Sequence, residues 1–205
     1  MESFVVTIAR GFGSGGKTIG QMLAKQLGVS YYDQDLIKLA SEESGINMQL
    51  FGKADEKVSH PLFKKRKAGE IPPPVTPDSS EFVSDDNLFN YQAKVIRDLA
   101  DRESCILVGR CADYVLAGRK NVIRVFVYAN REFCVEKVME LYPLTRKEAI
   151  AKIETIDKNR SDYYRYYTGK EWDNARNYDL CLNSSELGFD KCVDIIENYI
   201  RIRLA

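Results

Sequence analysis

A three-layer α/β domain with a parallel sheet is the fold class this sequence predicts, and three observations predict it. Five short apolar segments alternate with stretches of helical periodicity, the pattern of strands joined by crossover helices. One of them, Cys105-Ile106-Leu107-Val108, is apolar throughout, as a central strand buried on both faces should be. A glycine-rich stretch, Gly11 to Thr18, stands between the first strand and the first helix, where an α/β sheet places its ligand loops.

The elements follow in order. Phe4 to Ile8 is a strand, and after the glycine stretch Ile19, Met22, Leu23 and Leu27 recur at helical spacing until Gly28 stops the helix. Val29 to Tyr32 is a second strand. Asp33-Gln34-Asp35 can cap a helix carrying Leu36, Ile37, Leu39 and Ala40, which ends near Gly45. From about 51 to 86 the pattern dissolves: His60-Pro61, the basic run Lys64 to Lys67 and the proline-rich stretch Ile71 to Pro77 forbid a long regular element. This segment reads as an irregular insertion on the acceptor side of the domain. A helix with Leu88, Tyr91, Val95, Ile96 and Leu99 covers about 86 to 102. The strand 105 to 108 and another, Val122 to Val127, follow. Helices are expected at 131 to 142 and at 145 to 164, where Thr145 and Glu148 form a capping box. Tyr178 to Asn183 is the last strand, and Phe189, Cys192, Val193, Ile196, Tyr199 and Ile200 mark the buried side of the last helix.

At 205 residues the chain suits one domain, 1–205, with a core that needs no disulfide or metal. Its 30 basic and 30 acidic side chains balance, which argues against nucleic acid or an anionic membrane as partner. Five scattered cysteines without paired spacing point to reduced thiols and a cytoplasmic protein, and no apolar run approaches membrane-spanning length.

Gly11-Phe12-Gly13-Ser14-Gly15-Gly16-Lys17-Thr18 fits G-x-x-x-x-G-K-[ST], the phosphate-binding loop. Glycines allow positive φ and close approach, so that successive N–H groups turn inward on an anion, and the helix that starts there adds its unpaired first-turn donors. Gly11, Gly13, Ser14, Gly15 and Gly16 would cradle the phosphates of ATP, Lys17 would reach the outer ones, and the Thr18 hydroxyl would bind the accompanying magnesium. The other strand ends are candidate sites too: Asp33 and Asp35, Gly109-Arg110, Asn130-Arg131 and Asn183-Ser184-Ser185. Asp33 is read either as a helix cap or as a magnesium or substrate ligand. Arg110, just after a buried strand, would be costly to hold near the core without an anionic partner and is expected to bind phosphate. From Asp157 to Lys170, Arg160, Arg165 and Lys170 lie among four tyrosines at a helix end. The segment from about 155 to 172 is expected to be a lid that brings arginines to the γ-phosphate and excludes water; the tyrosines alone read as core anchors. No N-K-x-D motif for a switch GTPase is present.

Taken together, the glycine loop, Gly109-Arg110 after the third strand and Asp157-x-x-Arg160 resemble the nucleoside monophosphate kinases. The cytidylate kinase-like family is closer still, on Gly13-Ser14-Gly15-Gly16, Tyr32-Asp33, Val108-Gly109-Arg110-Cys111-Ala112-Asp113 and Tyr164-x-x-Tyr167-Thr168-Gly169. The resemblance implies a P-loop kinase fold with strand order 2-3-1-4-5, a site for a nucleoside monophosphate such as CMP or dCMP, and ATP with magnesium. It also implies that Arg110 holds the acceptor phosphate and that Asp157 and Arg160 hold the acceptor base or phosphates. Arg165, in the same stretch, is an alternative phosphate contact. Cytidylate kinase has Asp-Gly-Arg-Asp where this chain has Val108-Gly109-Arg110-Cys111, so Asp33 or Asp113 would have to supply the carboxylate near magnesium. An ungapped alignment with the family through the first helix puts Gly16 at the usual lysine position, whereas the literal motif puts Lys17 there. A kinase of another small metabolite, or a nucleotide-binding regulatory protein without turnover, shares most of these features.

Overall fold

The computed structural model describes residues 3–56 and 71–204. His60 and the basic run Lys64 to Lys67 lie outside the described residues. Five parallel strands, β1 (Val5–Arg10), β2 (Ser30–Tyr32), β3 (Cys105–Val108), β4 (Val122–Tyr128) and β5 (Leu180–Asn183), form one sheet in the order β2-β3-β1-β4-β5. The register pairs Val5 with Cys105 on one side and Val122 on the other, so β1 lies between two apolar neighbours.

Alternation along the strands divides the core in two. Val5, Cys105 and Leu107 face a cluster built with Leu36, Phe51, Phe89, Ile96 and Tyr163; Val6, Ile8, Ile106 and Val108 face Ile19, Leu23, Val193 and Ile196. The first layer comprises α2 (Asp35–Ser44), α3 (Met48–Ala54), α4 (Asp85–Arg102), the short α5 (Ala112–Val115) and the end of α7 (Arg146–Thr168). The second is α1 (Gly16–Leu27) with α9 (Phe189–Arg203). With both faces covered, continuous apolar strands are what a parallel sheet requires.

Regularity runs further than the sequence pattern suggested at two places. The short helix α3 enters the stretch expected to be irregular, because Phe51 and Ala54 bury against the first layer. Residues 71–84 have no helix or strand and are stapled by Asn87, whose Oδ1 accepts the Val75 N–H at 2.8 Å and whose Nδ2 donates to the Phe82 carbonyl at 2.8 Å. Helix α7 starts with the expected capping box and continues past Tyr164 to Thr168, where Gly169 takes φ 70° and closes it. Its last turns are held by Phe89 stacked on Tyr167 at 3.9 Å between ring centres and by the Tyr164 hydroxyl donating to Asp113 at 2.6 Å. The tyrosines are thus core anchors, and 155–168 is the C-terminal half of one continuous helix. Helix α6 (Arg131–Leu141) and the four-residue α8 (Ser184–Leu187) complete the picture near the sheet's carboxyl end.

Candidate active site

Because β1, β3 and β4 are parallel neighbours, their carboxyl ends deliver three loops to one place. The first is the glycine loop. Its backbone is tied down from below: Gly11 N–H donates to Val127 O at 3.0 Å, the buried Ser14 hydroxyl donates to Gly11 O at 2.8 Å, and Ser184 Oγ donates to Ser14 O at 2.6 Å. Gly13 and Gly15 have φ of 84° and 78°. A Cβ on Gly13 would stand 2.7 Å from the Cys134 carbonyl oxygen, and one on Gly15 2.2 Å from the Phe189 ring. Only glycine fits either place.

Gly15 precedes the first turn of α1, and Lys17 and Thr18 are exposed at its start. They border a cleft of about 520 Å³ between the loop and the end of α6, with Lys137, Leu141, Tyr142 and Phe189 on its other walls. That volume lies within the range of small-ligand sites. Helix donors, glycine backbone, a cation and a hydroxyl on one open cleft fit the polyphosphate of a nucleotide with its magnesium. The Lys17 ammonium lies 2.5 Å from Asp33 Oδ2 and remains about half exposed, with side-chain exposure of 48%. Asp33 is therefore not a helix cap: α2 has Gln34 at its cap position with no side-chain bond, and the Asp33 carboxylate joins Lys17 to Arg110 Nη1, 3.3 Å away. Among the described residues no cluster of three or more acidic, histidine or cysteine side chains could hold a metal alone. A magnesium ion here would depend on Thr18, on Asp33 and on the phosphates it accompanies.

Behind the loop is a second, smaller chamber lined by Arg10, Arg110, Arg160, Glu56, Gly109 and Asp113 among others. Its three arginines are 5%, 2% and 8% exposed. The Glu56 carboxylate accepts from Arg10 Nη1 at 2.6 Å and Nη2 at 3.2 Å, and from Arg160 Nε at 3.0 Å. Arg110 donates from Nη2 to Asp55 at 3.0 Å and from Nη1 to the Val108 carbonyl at 3.2 Å. Arg160 Nη1 also reaches the Arg10 carbonyl at 3.0 Å, and its guanidinium lies 5.8 Å from the centre of the Phe12 ring. Asp157, three residues earlier on α7, accepts the Phe12 N–H at 2.8 Å. Two side chains on one helix face thus hold the glycine loop: Asp157 by an amide, Arg160 by the end of β1.

Burial and charge work against each other in this chamber. Burial alone would push the Glu56 carboxyl up, but Arg10 and Arg160 outweigh it and hold the group well below the usual carboxylate range. Arg10 is raised, because Glu56 outweighs its desolvation, whereas Arg160 is lowered by burial and by the neighbouring Arg10. Desolvation raises Asp55 against the pull of Arg110, and raises Asp157 against the Phe12 N–H. Backbone strain collects here as well. The described non-glycine residues with positive φ are Glu56 (50°), Arg110 (53°) and Cys111 (55°), and all three line the chamber. Each such conformation costs about 1–3 kcal/mol and persists where the surroundings over-determine it, typically at functional sites.

The sequence-predicted residues fall into three groups. Gly11, Gly13, Gly15, Gly16, Lys17 and Thr18 line the cleft, while Ser14 is buried beneath the loop and serves it through its hydroxyl. Arg110, Arg160, Asp157 and Asp33 meet at the chamber and its mouth. Arg165 does not join them: it is exposed and pairs with Glu171 at 2.5 Å. Of the two carboxylates considered for the missing strand-three aspartate, Asp113 is buried against Tyr164, and Asp33 faces Lys17. Sequence reasoning missed Arg10, Asp55 and Glu56. An arginine ending an otherwise apolar strand was a signal for the first; an acidic pair inside an apparently irregular segment gave none.

A glycine loop at the end of β1, strand order 2-3-1-4-5 and helices on both faces define a P-loop kinase fold. The cytidylate kinase-like family model matches residues 5–186, and the chain belongs to that family. Solved structures agree on the fold. An uncharacterized protein from Eubacterium ventriosum is similar at 24% identity and TM-score 0.73, with 97% of this chain and 99% of that one covered. Shikimate kinase from Bacteroides thetaiotaomicron matches at 13% identity and TM-score 0.56, covering 97% and 98%. Shikimate kinase from Acinetobacter baumannii, solved with shikimate, matches at 14% and 0.52, covering 97% and 93%. No curated protein matches the sequence. Family and fold together support a nucleotide-dependent kinase. No helix among the described residues is long and apolar enough to cross a membrane.

Proposed function

We propose that this protein transfers the γ-phosphoryl group of ATP, with magnesium, to a nucleoside monophosphate, CMP or dCMP before others. One observation carries the proposal: the cleft at the glycine loop and the arginine chamber share a wall, and Arg10 and Arg160 line both. A donor phosphate in the cleft and an acceptor phosphate in the chamber would meet at Arg160. In the transfer, the bond from the bridging oxygen to the γ-phosphorus breaks, ADP leaves, and an acceptor phosphate oxygen forms the new bond to phosphorus. At neutral pH that oxygen already lacks its proton, the second pKa of a phosphate monoester being about 6, so no general base is required. Magnesium, when bound, would supply positive charge against the charge that shifts between the phosphates. Lys17 and Arg160 would neutralise the moving group, Arg110 and Arg10 would hold the acceptor, and Thr18 with Asp33 would face the metal. Asp157 would keep the loop in shape, as the working face of the proposed lid segment. Arg165, near the end of α7 and paired with Glu171, is kept as an alternative phosphate contact. Five cysteines free of disulfides fit a cytoplasmic protein.

Asp33 favours a second reading, a hydroxyl acceptor, because its carboxylate, between Lys17 and Arg110, could accept a hydrogen bond from a substrate hydroxyl. A panel of CMP, dCMP, AMP, GMP, UMP and shikimate with ATP and magnesium, read as ADP formation, separates the two. Fastest turnover with CMP or dCMP is expected. Turnover of shikimate alone would replace the monophosphate reading by the hydroxyl one.

A further inference from the structure

Four cations, Arg10, Arg110, Arg160 and Lys17, pair with four carboxylates, Asp33, Asp55, Glu56 and Asp157, while the chamber's further carboxyl, Asp113, is held by the Tyr164 hydroxyl, so each of these cations already has an anionic partner without any ligand. A phosphate monoester arriving in this chamber would meet Glu56 in its best position, gripped by Arg10 and Arg160 together. It could gain those cations only by displacing that carboxylate. The fit of Glu56 is also forced. Its own φ is 50°, a left-handed conformation that a glutamate rarely adopts, and the absence of a Cβ on Gly109 leaves the room that its Oε1 occupies. Meanwhile the buried Nε atoms of Arg10 and Arg110 have no hydrogen-bond partner. Arg110 keeps its unused donor beside Asp33 and Asp55, and Arg10 keeps its own although Glu56 takes both its Nη atoms, so a two-oxygen carboxylate leaves a donor that the three oxygens of a phosphate could meet.

We propose that Glu56 is a resident stand-in for the phosphate of the acceptor, and that the acceptor enters by displacing it from Arg10 and Arg160, which makes Arg10 an acceptor-binding residue and Glu56 an autoinhibitory one. The proposal rests on the kinase reading for the identity of the anion as an acceptor's phosphate. In this account the unliganded site is held closed by its own chain, and a molecule without a phosphate group does not open it.

Inorganic phosphate tests this without nucleotide or turnover. Titrated calorimetrically into the full chain, it should bind Glu56→Gln at least tenfold more tightly than the wild type, since the glycine loop is the same in both. The gain should vanish in Glu56→Gln combined with Arg10→Gln, and acetate should show no comparable gain. Affinities within twofold for wild type and Glu56→Gln would overturn the proposal, as would a gain that survives loss of Arg10. Should Glu56→Gln not fold, hydrogen exchange of the wild-type amides at 48–56 decides: faster exchange at saturating phosphate is expected, and unchanged exchange overturns it. Loss of turnover in the monophosphate panel leaves this result standing, and failure here leaves the kinase proposal standing.

Discussion

Lys17 separates the two alignments of the glycine loop most sharply. If its amine serves the outer phosphates from the cleft it borders, Lys17→Ala lowers turnover by at least a hundredfold with the fold intact, about 2.7 kcal/mol of transition-state stabilisation. A loss under tenfold would place the catalytic cation elsewhere. Gly15 offers a steric counterpart: at φ 78° with Phe189 2.2 Å from a would-be Cβ, Gly15→Ala should abolish the rise in melting temperature that ATP gives the wild type. Glu56 makes a pH prediction with a definite sign. Its carboxyl, pushed up by burial but pulled further down by Arg10 and Arg160, is lower folded than unfolded. It therefore contributes stability that is present above the ordinary glutamate pKa of about 4.3 and is lost as pH falls below it. The melting temperature of wild type minus that of Glu56→Gln should be flat from pH 8 to about pH 5 and shrink only in stronger acid. A difference that fades between pH 7 and 5 would mean that Glu56 is not held ionised.

At the scale of elements, α7 connects the fold to the chemistry. Thr145 and Glu148 start it, Asp157 and Arg160 press on the glycine loop, and Tyr163, Tyr164 and Tyr167 sink its end into the first core layer. A Tyr164→Phe change removes the hydroxyl that donates to buried Asp113. Leaving that carboxyl short of a donor should cost about 1–3 kcal/mol, at about 2–4 °C of melting temperature for each, while the KM for ATP stays within twofold. An unchanged melting temperature would show the pair to be unimportant. Much of this helix was legible, because a capping box and aromatic spacing are local signals. Its length was not: the turn to Thr168 exists because tyrosines bury against α4, a tertiary fact. The same distinction explains the site. The glycine loop and Arg110 could be read from spacing and from position after a strand. Glu56, however, meets Arg10 and Arg160 across 46 and 104 residues, and no local pattern says which carboxylate will find which arginine. Asp33 was read as cap or ligand from its place before a helix, and only the folded sheet brings Lys17 and Arg110 to either side of it.

Across the whole molecule, the sheet order puts β1 between β3 and β4, so the cleft at the glycine loop and the arginine chamber are adjacent because their strands are. Buried throughout, β1 sends alternate side chains to opposite faces and so anchors that arrangement to two separate cores, one under each layer of helices. The strand order and the layers were readable from alternation and family likeness; the shared wall was not, since Arg10 belongs to a strand and Arg160 to a helix 150 residues later. The central claim is that a phosphoryl group crosses this wall from ATP to a nucleoside monophosphate. It is tested most directly by incubating the protein with γ-labelled ATP, magnesium and CMP or dCMP and separating the products. Label in CDP or dCDP, lost in Arg160→Ala, is the predicted result. Label that stays in ATP or appears only as inorganic phosphate would contradict the account.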